Sequence, residues 1–179
     1  MKTWDRLRQL GGVVGPTVAA AVLGNVFISK EAMTWFRGLR TPAMQVPLPA
    51  FGAVGAVYYL QLGTVLYRAR RNEDARVRRL ALLVLAGNEI WNVAFFGRRS
   101  PRNGFIGILV FLLPLLSLQR AVRPDAPSFV TLAPYTLWVI GYDVPWTFQL
   151  WQLNRAPSTD AARGPAGVDP SGGHRLSGF

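Results

Sequence analysis

The chain has 179 residues, half of them hydrophobic, with only 16% charged and no cysteine. The missing cysteines exclude a disulfide framework, a thiolate metal site and a cysteine nucleophile. The net charge of +11 invites a nucleic-acid reading, but the arginines bracket apolar segments, as the flanks of membrane spans do, instead of forming one basic stripe.

Charges are scarce against the roughly 25% of a soluble domain, and they sit in short clusters with long charge-free intervals between them. Five intervals are long and apolar enough to be read as transmembrane helices, over about 9–29, 48–67, 80–97, 103–119 and 128–154. Lipid offers no partner to an unpaired backbone group, so helices are the expected form, and the alternation of a transmembrane barrel is missing. The predicted fold is therefore all-α, an integral membrane bundle of five transmembrane helices filling residues 1–154.

The first interval, QLGGVVGPTVAAAVLGNVFIS, follows Lys2, Arg6 and Arg8. A cleavable signal peptide is an alternative there, but the apolar stretch carries several glycines and a proline and continues to Ile28. Gly11 and Gly15 form a GxxxG pair suited to close helix contact. Residues 31–47 are mixed and aromatic, too polar to span, and read as an interfacial loop with a short amphipathic turn. The second interval leads to a basic loop at 68–79. The third is joined to the fourth by a tight turn at 98–102, and the fourth to the fifth by a turn at 120–127. Residues 155–179, rich in Pro, Gly and Ser, are expected to be a disordered tail. The basic residues divide almost evenly between the two sides, and the dense 68–79 loop places the N-terminus on the inside by the positive-inside rule.

Two ionisable residues, Glu89 and Asp143, fall inside predicted spans. Burying a charge in hydrocarbon is costly, so each is expected to carry a proton or to face a wet cavity, and each is a functional candidate. The alternative is a neutral carboxyl that ties helices together by hydrogen bonds. On the third span, spacings of three and four put Asn88, Trp91 and Phe95 on one face, with Glu89, Asn92 and Phe96 on the adjacent one. On the fifth, Trp138, Tyr142 and Pro145 share a face, and the second adds Phe51, Tyr58 and Tyr59. Aromatic walls with a few placed polar groups are the usual form of a small-molecule site. Ordinary packing with an interfacial aromatic belt accounts for the same residues.

The segment GNEIWNVAFFGRR at 87–99 resembles the LNxxWxxxFFGxR signature of the TspO/MBR family, with Asn88, Trp91, Phe95, Phe96, Gly97 and Arg99 on the pattern. APYTLW at 133–138 is similar to the family's PYxxW, placing Pro134, Tyr135 and Trp138. WFRGLRTPAMQVPLPAFGAV at 35–54 resembles the family's loop into the second helix, placing Trp35, Leu39, Pro42, Pro47, Phe51 and Gly52. The resemblance covers about residues 10–154. There are departures. Gly55 stands where the family has a Trp of its ligand pocket. Trp146 stands where an Asn is expected midway down the fifth helix, and one residue is added before Asn154. Aromatic enlargement at Tyr58 or Trp146 would partly refill the space left by the missing Trp.

The resemblance implies a five-helix fold, often dimeric, with a pocket opening toward the first loop. It also implies that no cofactor is required and that porphyrin, haem or a sterol-like molecule is a possible ligand. Light-dependent porphyrin breakdown has been proposed for some bacterial relatives. For such a ligand the candidate binding residues are Trp35, Arg40, Phe51, Tyr59, Asn88, Trp91, Phe95, Pro134, Trp138 and Tyr142, with Arg37 and Arg40 placed to meet carboxylates at the mouth. A small transporter or scaffold using Glu89 and Asp143 is a further reading. The lack of a visible internal repeat argues against a typical secondary transporter.

Overall fold

The computed structural model describes Gly15, Val18, Ala19 and residues 28–155. The first predicted span, the signal-peptide alternative, the Gly11–Gly15 pair and the C-terminal segment from 156 onward therefore lie largely or wholly outside the described residues.

The first complete helix, α1 (Lys30–Arg37), starts where Ser29 caps it. The Ser29 hydroxyl accepts from the Ala32 amide at 3.2 Å, satisfying one of the helix's free amides. That hydroxyl also holds the exposed Glu31 carboxyl below its ordinary range. Ala32 and Phe36, four residues apart, form the buried face. The predicted amphipathic turn is thus a helix of two turns.

Helix α2 (Leu48–Arg71) has Pro49 in its first turn, where a missing amide costs nothing. Its buried stripe, Tyr58, Leu62, Val65, Leu66 and Ala69, keeps the three-and-four spacing. It runs on to Arg71, and α3 (Ala75–Asn92) begins directly after Asp74, whose carboxylate accepts from the Val77 amide at 2.9 Å. The basic loop expected over 68–79 is therefore only Asn72–Asp74, with its arginines on the two flanking helix ends. Glu73 takes a left-handed φ of 56° to make the reversal.

α3 continues into a π-helical turn, Val93–Gly97, closed by the Arg98 amide bonding to the Val93 carbonyl at 3.0 Å. Arg99, with φ 47°, reverses the chain, and α4 (Pro101–Ala121) follows under a Ser100 cap to the Asn103 amide at 3.2 Å. The turn expected at 98–102 is thus shorter, because Pro101 already belongs to the helix. The last span is a continuous helical run built from α5 (Ala126–Trp138), a second π turn (Val139–Asp143) and α6 (Val144–Leu153).

α3 packs between α2 and α4. α4 also meets α5 and α6, and α5 returns to α2, so the four described spans form a closed ring. Their common core includes Tyr58, Leu62, Val84, Phe111, Leu115, Leu132 and Val139. Polar ties cross it. Tyr58 donates to the Val84 carbonyl at 3.1 Å, and Thr136 donates to Gln119 Oε1 at 2.9 Å.

Three of these helices, Leu48–Arg71, Ala75–Gly97 and Pro101–Ala121, are long and apolar enough to cross a membrane, and only 22–28% of each apolar window is buried within the bundle. The remainder is turned outward, with Leu60, Ile90, Leu113 and Leu137 each about two-thirds exposed or more. Water would penalise such a surface and lipid does not. The chain is an all-α, multi-pass membrane bundle.

At the end of the bundle holding the α2–α3 turn, the Arg68 guanidinium grips Asp125 with two nitrogens, Nε at 2.8 Å, and Ser128 adds a third donor. Arg68 first, then Ser128, hold the Asp125 carboxyl at about 2 against an ordinary 3.8. The carboxylate is thus favoured by folding. The tie contributes fully above about pH 4 and is lost as pH falls through about 2. The pair is partly exposed, so the effect is small. Melting of the wild type and of Asp125→Asn, followed in detergent, is expected to differ by a constant few degrees at neutral pH, to draw together below about pH 4 and to converge as pH falls through about 2. Parallel curves down to pH 2 would contradict this assignment.

Candidate functional site

At the opposite end, the segment after α1 lies across the ends of α2, α3 and α6. It is strapped down at several points. The Asn154 side chain pairs with both backbone groups of Arg40, accepting from its amide and donating to its carbonyl, each at 2.9 Å. The Val46 amide donates to the Tyr142 hydroxyl at 2.9 Å, and the Trp146 indole N–H to Gln45 Oε1 at 3.4 Å. Side-chain amides suit such a clasp because one face presents both a donor and an acceptor.

Beneath the strap is a second core of aromatic rings. Phe95 is fully buried at its centre, edge-on to Trp35 at 5.5 Å, to Phe36 at 6.0 Å and to Trp146 at 6.0 Å, and stacked on Trp91 at 5.2 Å. Phe51 from α2 reaches Trp146 at 5.1 Å and Tyr142 at 5.9 Å. Along the last span Trp138, Tyr142 and Trp146 make a ladder, with ring centroids 4.4 Å and then 6.2 Å apart. A regular helix groups Trp138 and Tyr142 with Pro145. The π turn changes the phase, so that Trp146 takes the third rung.

A polar node lies on the α2–α3 seam. Tyr59 donates to Glu89 Oε1 at 2.9 Å, Asn88 Nδ2 approaches the same oxygen at 3.4 Å, and Asn92 reaches Glu89 Oε2 at 3.5 Å. Glu89 thus links two spans through hydrogen bonds and makes no ion pair; among the described residues the ion pair present is Arg68–Asp125. Tyr58 connects this node to the last span, with its ring 4.9 Å from Tyr59 and 4.5 Å from Tyr135. Asp143 accepts the Trp138 indole N–H at 3.0 Å.

The structure therefore gathers Trp35, Phe51, Trp91, Phe95, Trp138 and Tyr142 at one end of the bundle and sets Tyr59, Asn88 and Glu89 on the neighbouring seam. It separates Asn88 from Trp91. Asn88 turns to α2, whereas Trp91 donates to the Gly104 carbonyl on α4 at 2.9 Å. Two predicted residues stand apart. Pro134 is exposed on α5, one position before the buried Tyr135, so helix phase points it outward. Arg40 is exposed and enters the site's architecture through its backbone alone. Phe36 and Gln45 were missed by sequence reasoning, because their partners lie far along the chain and no local pattern marks them. Trp146 does occupy the aromatic space, 3% exposed, whereas Tyr58 points into the main core.

No group of three or more His, Cys, Asp or Glu side chains placed to hold a metal occurs among the described residues. The arrangement offers π faces, a few hydrogen-bonding groups and two carboxyls.

The profile of the TspO/MBR family matches residues 13–151. Two relatives, both called tryptophan-rich protein TspO, align over most of their length. The one from Archaeoglobus fulgidus is 26% identical over 140 residues, covering 76% of this chain and 91% of the relative. The one from Chlorobaculum tepidum is 27% identical over 147 residues, covering 79% and 92%. A match of this extent, on a helical membrane bundle, shows that the chain belongs to the TspO/MBR family.

Proposed function

We propose that the chain binds a flat, conjugated, apolar molecule of the porphyrin class among the rings beneath the strapped loop. The observation that carries this reading is the run of contacting aromatic rings from Trp91 and Phe95 through Trp146 to Tyr142 and Trp138, stacked at its first and third contacts. Offset stacking on such faces adds to the gain from burying area. Tyr59, Asn88 and Glu89 supply the few placed polar groups that orient a ligand in an apolar site. Arg37 and Arg40, both exposed on the loop side, supply charge for ligand carboxylates at the rim.

The test is a titration of porphyrin into detergent-purified protein, followed by quenching of tryptophan fluorescence. Saturable quenching is expected, with Trp138→Ala weakening the affinity by about tenfold. Quenching that does not saturate, or that is indifferent to Trp138→Ala in a variant of unchanged melting, would sink the proposal.

Light-dependent breakdown of the bound porphyrin is a second reading. It is favoured by the Trp138 indole, hydrogen-bonded to Asp143 and 4.4 Å from Tyr142. It requires a porphyrin spectrum that changes on illumination only when Trp138 is intact. Simple binding leaves the spectrum as it was.

A further inference from the structure

On the outer side of the bundle, between α3 and α4, runs a groove of about 580 Å³. It exists because small residues stand where the helices meet. A Cβ on Gly87 would come within 3.1 Å of Phe111, and one on Gly107 within 3.0 Å of Trp91. Ala86 and Ala94 keep the furrow open, and Ile90 and Val110, 68% and 60% exposed, form its lips. Along α4 it extends from Asn103 to Pro114, about 16 Å at 1.5 Å per residue.

That length decides between occupants. The hydrocarbon core is about 30 Å thick, so one leaflet is about 15 Å deep. The groove crosses one leaflet, which suits an acyl chain, whereas a neighbouring transmembrane helix would call for a furrow through both. Its polar end is basic. Arg98 lines it, Arg102 follows in the first turn of α4, and that turn is the positive end of the helix dipole. Neither arginine has an acidic partner among the described residues. A second copy docked here about an axis along the membrane normal would bring both copies' Arg98 and Arg102 to the same depth, like charge beside like charge. The chain's own apolar segment at 10–28 contains no acidic residue to meet them.

We propose that this groove is a binding site for an anionic phospholipid, with one acyl chain lying along Ile90, Gly107 and Val110 and the phosphate held by Arg98 and Arg102. The site faces the bilayer and meets the aromatic end of the bundle only through the Trp91 ring, which lines the groove and stacks on Phe95.

The chain's lack of cysteine makes the test direct. Full-length Val110→Cys, labelled with a fluorophore, is reconstituted in phosphatidylcholine vesicles with a minor fraction of phosphatidylglycerol. Quenching is compared for chain-brominated phosphatidylglycerol and chain-brominated phosphatidylcholine at equal dose. Ile106→Cys reads the same groove if the first variant folds poorly, and Leu137→Cys, outward on α5, is the control. Phosphatidylglycerol is expected to quench the groove probes with a preference of about fivefold per arginine engaged. That preference disappears in Arg98→Gln/Arg102→Gln and is lacking at Leu137→Cys. Equal quenching by both lipids, unaffected by the arginine changes, means an ordinary lipid annulus and overturns the proposal. So does a groove probe shielded from both lipids that cross-links to a second copy or to a cysteine placed within residues 10–28.

Discussion

Gly104→Ala is expected to destabilise the protein by about 2 kcal/mol or more, the range for overpacking a filled core. A Cβ there would stand 2.5 Å from Phe95 Cδ2, closer than any real contact. Phe95 has no room to retreat, since it is fully buried and ringed by Trp35, Phe36, Trp91, Phe96 and Trp146. The alternative, moving α4 outward, stretches the bond from the Trp91 indole to the carbonyl of Gly104 itself. Melting in detergent is therefore expected to fall by several degrees, at about 2–4 °C per kcal/mol for a chain of this size. Gly52→Ala is the matched control. Nothing lies within 4 Å of its added methyl, and alanine is the better helix former by about 1 kcal/mol. If the two variants melt alike, the close approach of α4 to the aromatic core is wrong.

The second large effect concerns ligand affinity. Gly55→Trp restores the aromatic residue that the family pattern carries on the second span. Gly55 lies one helical turn beyond Phe51, whose ring meets Trp146 and Tyr142. Among the described residues, no atom lies within 4 Å of the position its Cβ would take. A tryptophan there adds a stacking face from a position whose Cβ is open. Porphyrin affinity is expected to rise by about tenfold, the worth of one good aromatic pair. Unchanged affinity in a variant with normal melting would mean that the ligand does not approach this part of α2.

Charge spacing made the membrane bundle legible, because lipid leaves so few ways to place an arginine. Local chemistry was legible in part: the aromatic content of 87–99 marks a special segment, whereas Pro101, read as part of a turn, starts a helix. Contacts between distant segments were not. The bond from Asn154 to Arg40 joins residues 114 positions apart, and nothing near either residue announces it. Periodicity was a good guide only within regular helix. It placed Asn88 and Trp91 together, yet the two meet different helices, since a face as broad as a third of a helix touches two neighbours in a bundle. The family motif, read without its helical phase, counted Pro134 among the ligand residues, whereas the helix turns it outward.

The widened turn at Val139–Asp143 has a bearing on how this chain diverged. Set against the family pattern that its sequence resembles, the last span reads as one residue longer before Asn154. In a regular helix a surplus residue rotates everything beyond it by about 100°, which would swing Trp146 away from Phe95 and Asn154 away from Arg40. A π turn holds more residues than an α turn, because each amide bonds one residue further back. The surplus is taken up there within a single turn. Residues up to Trp138 keep their phase against α2 and α4, and those from Val144 keep theirs against the loop. The two halves of the last span thus keep separate phases, and a surplus residue between them is confined to its own turn.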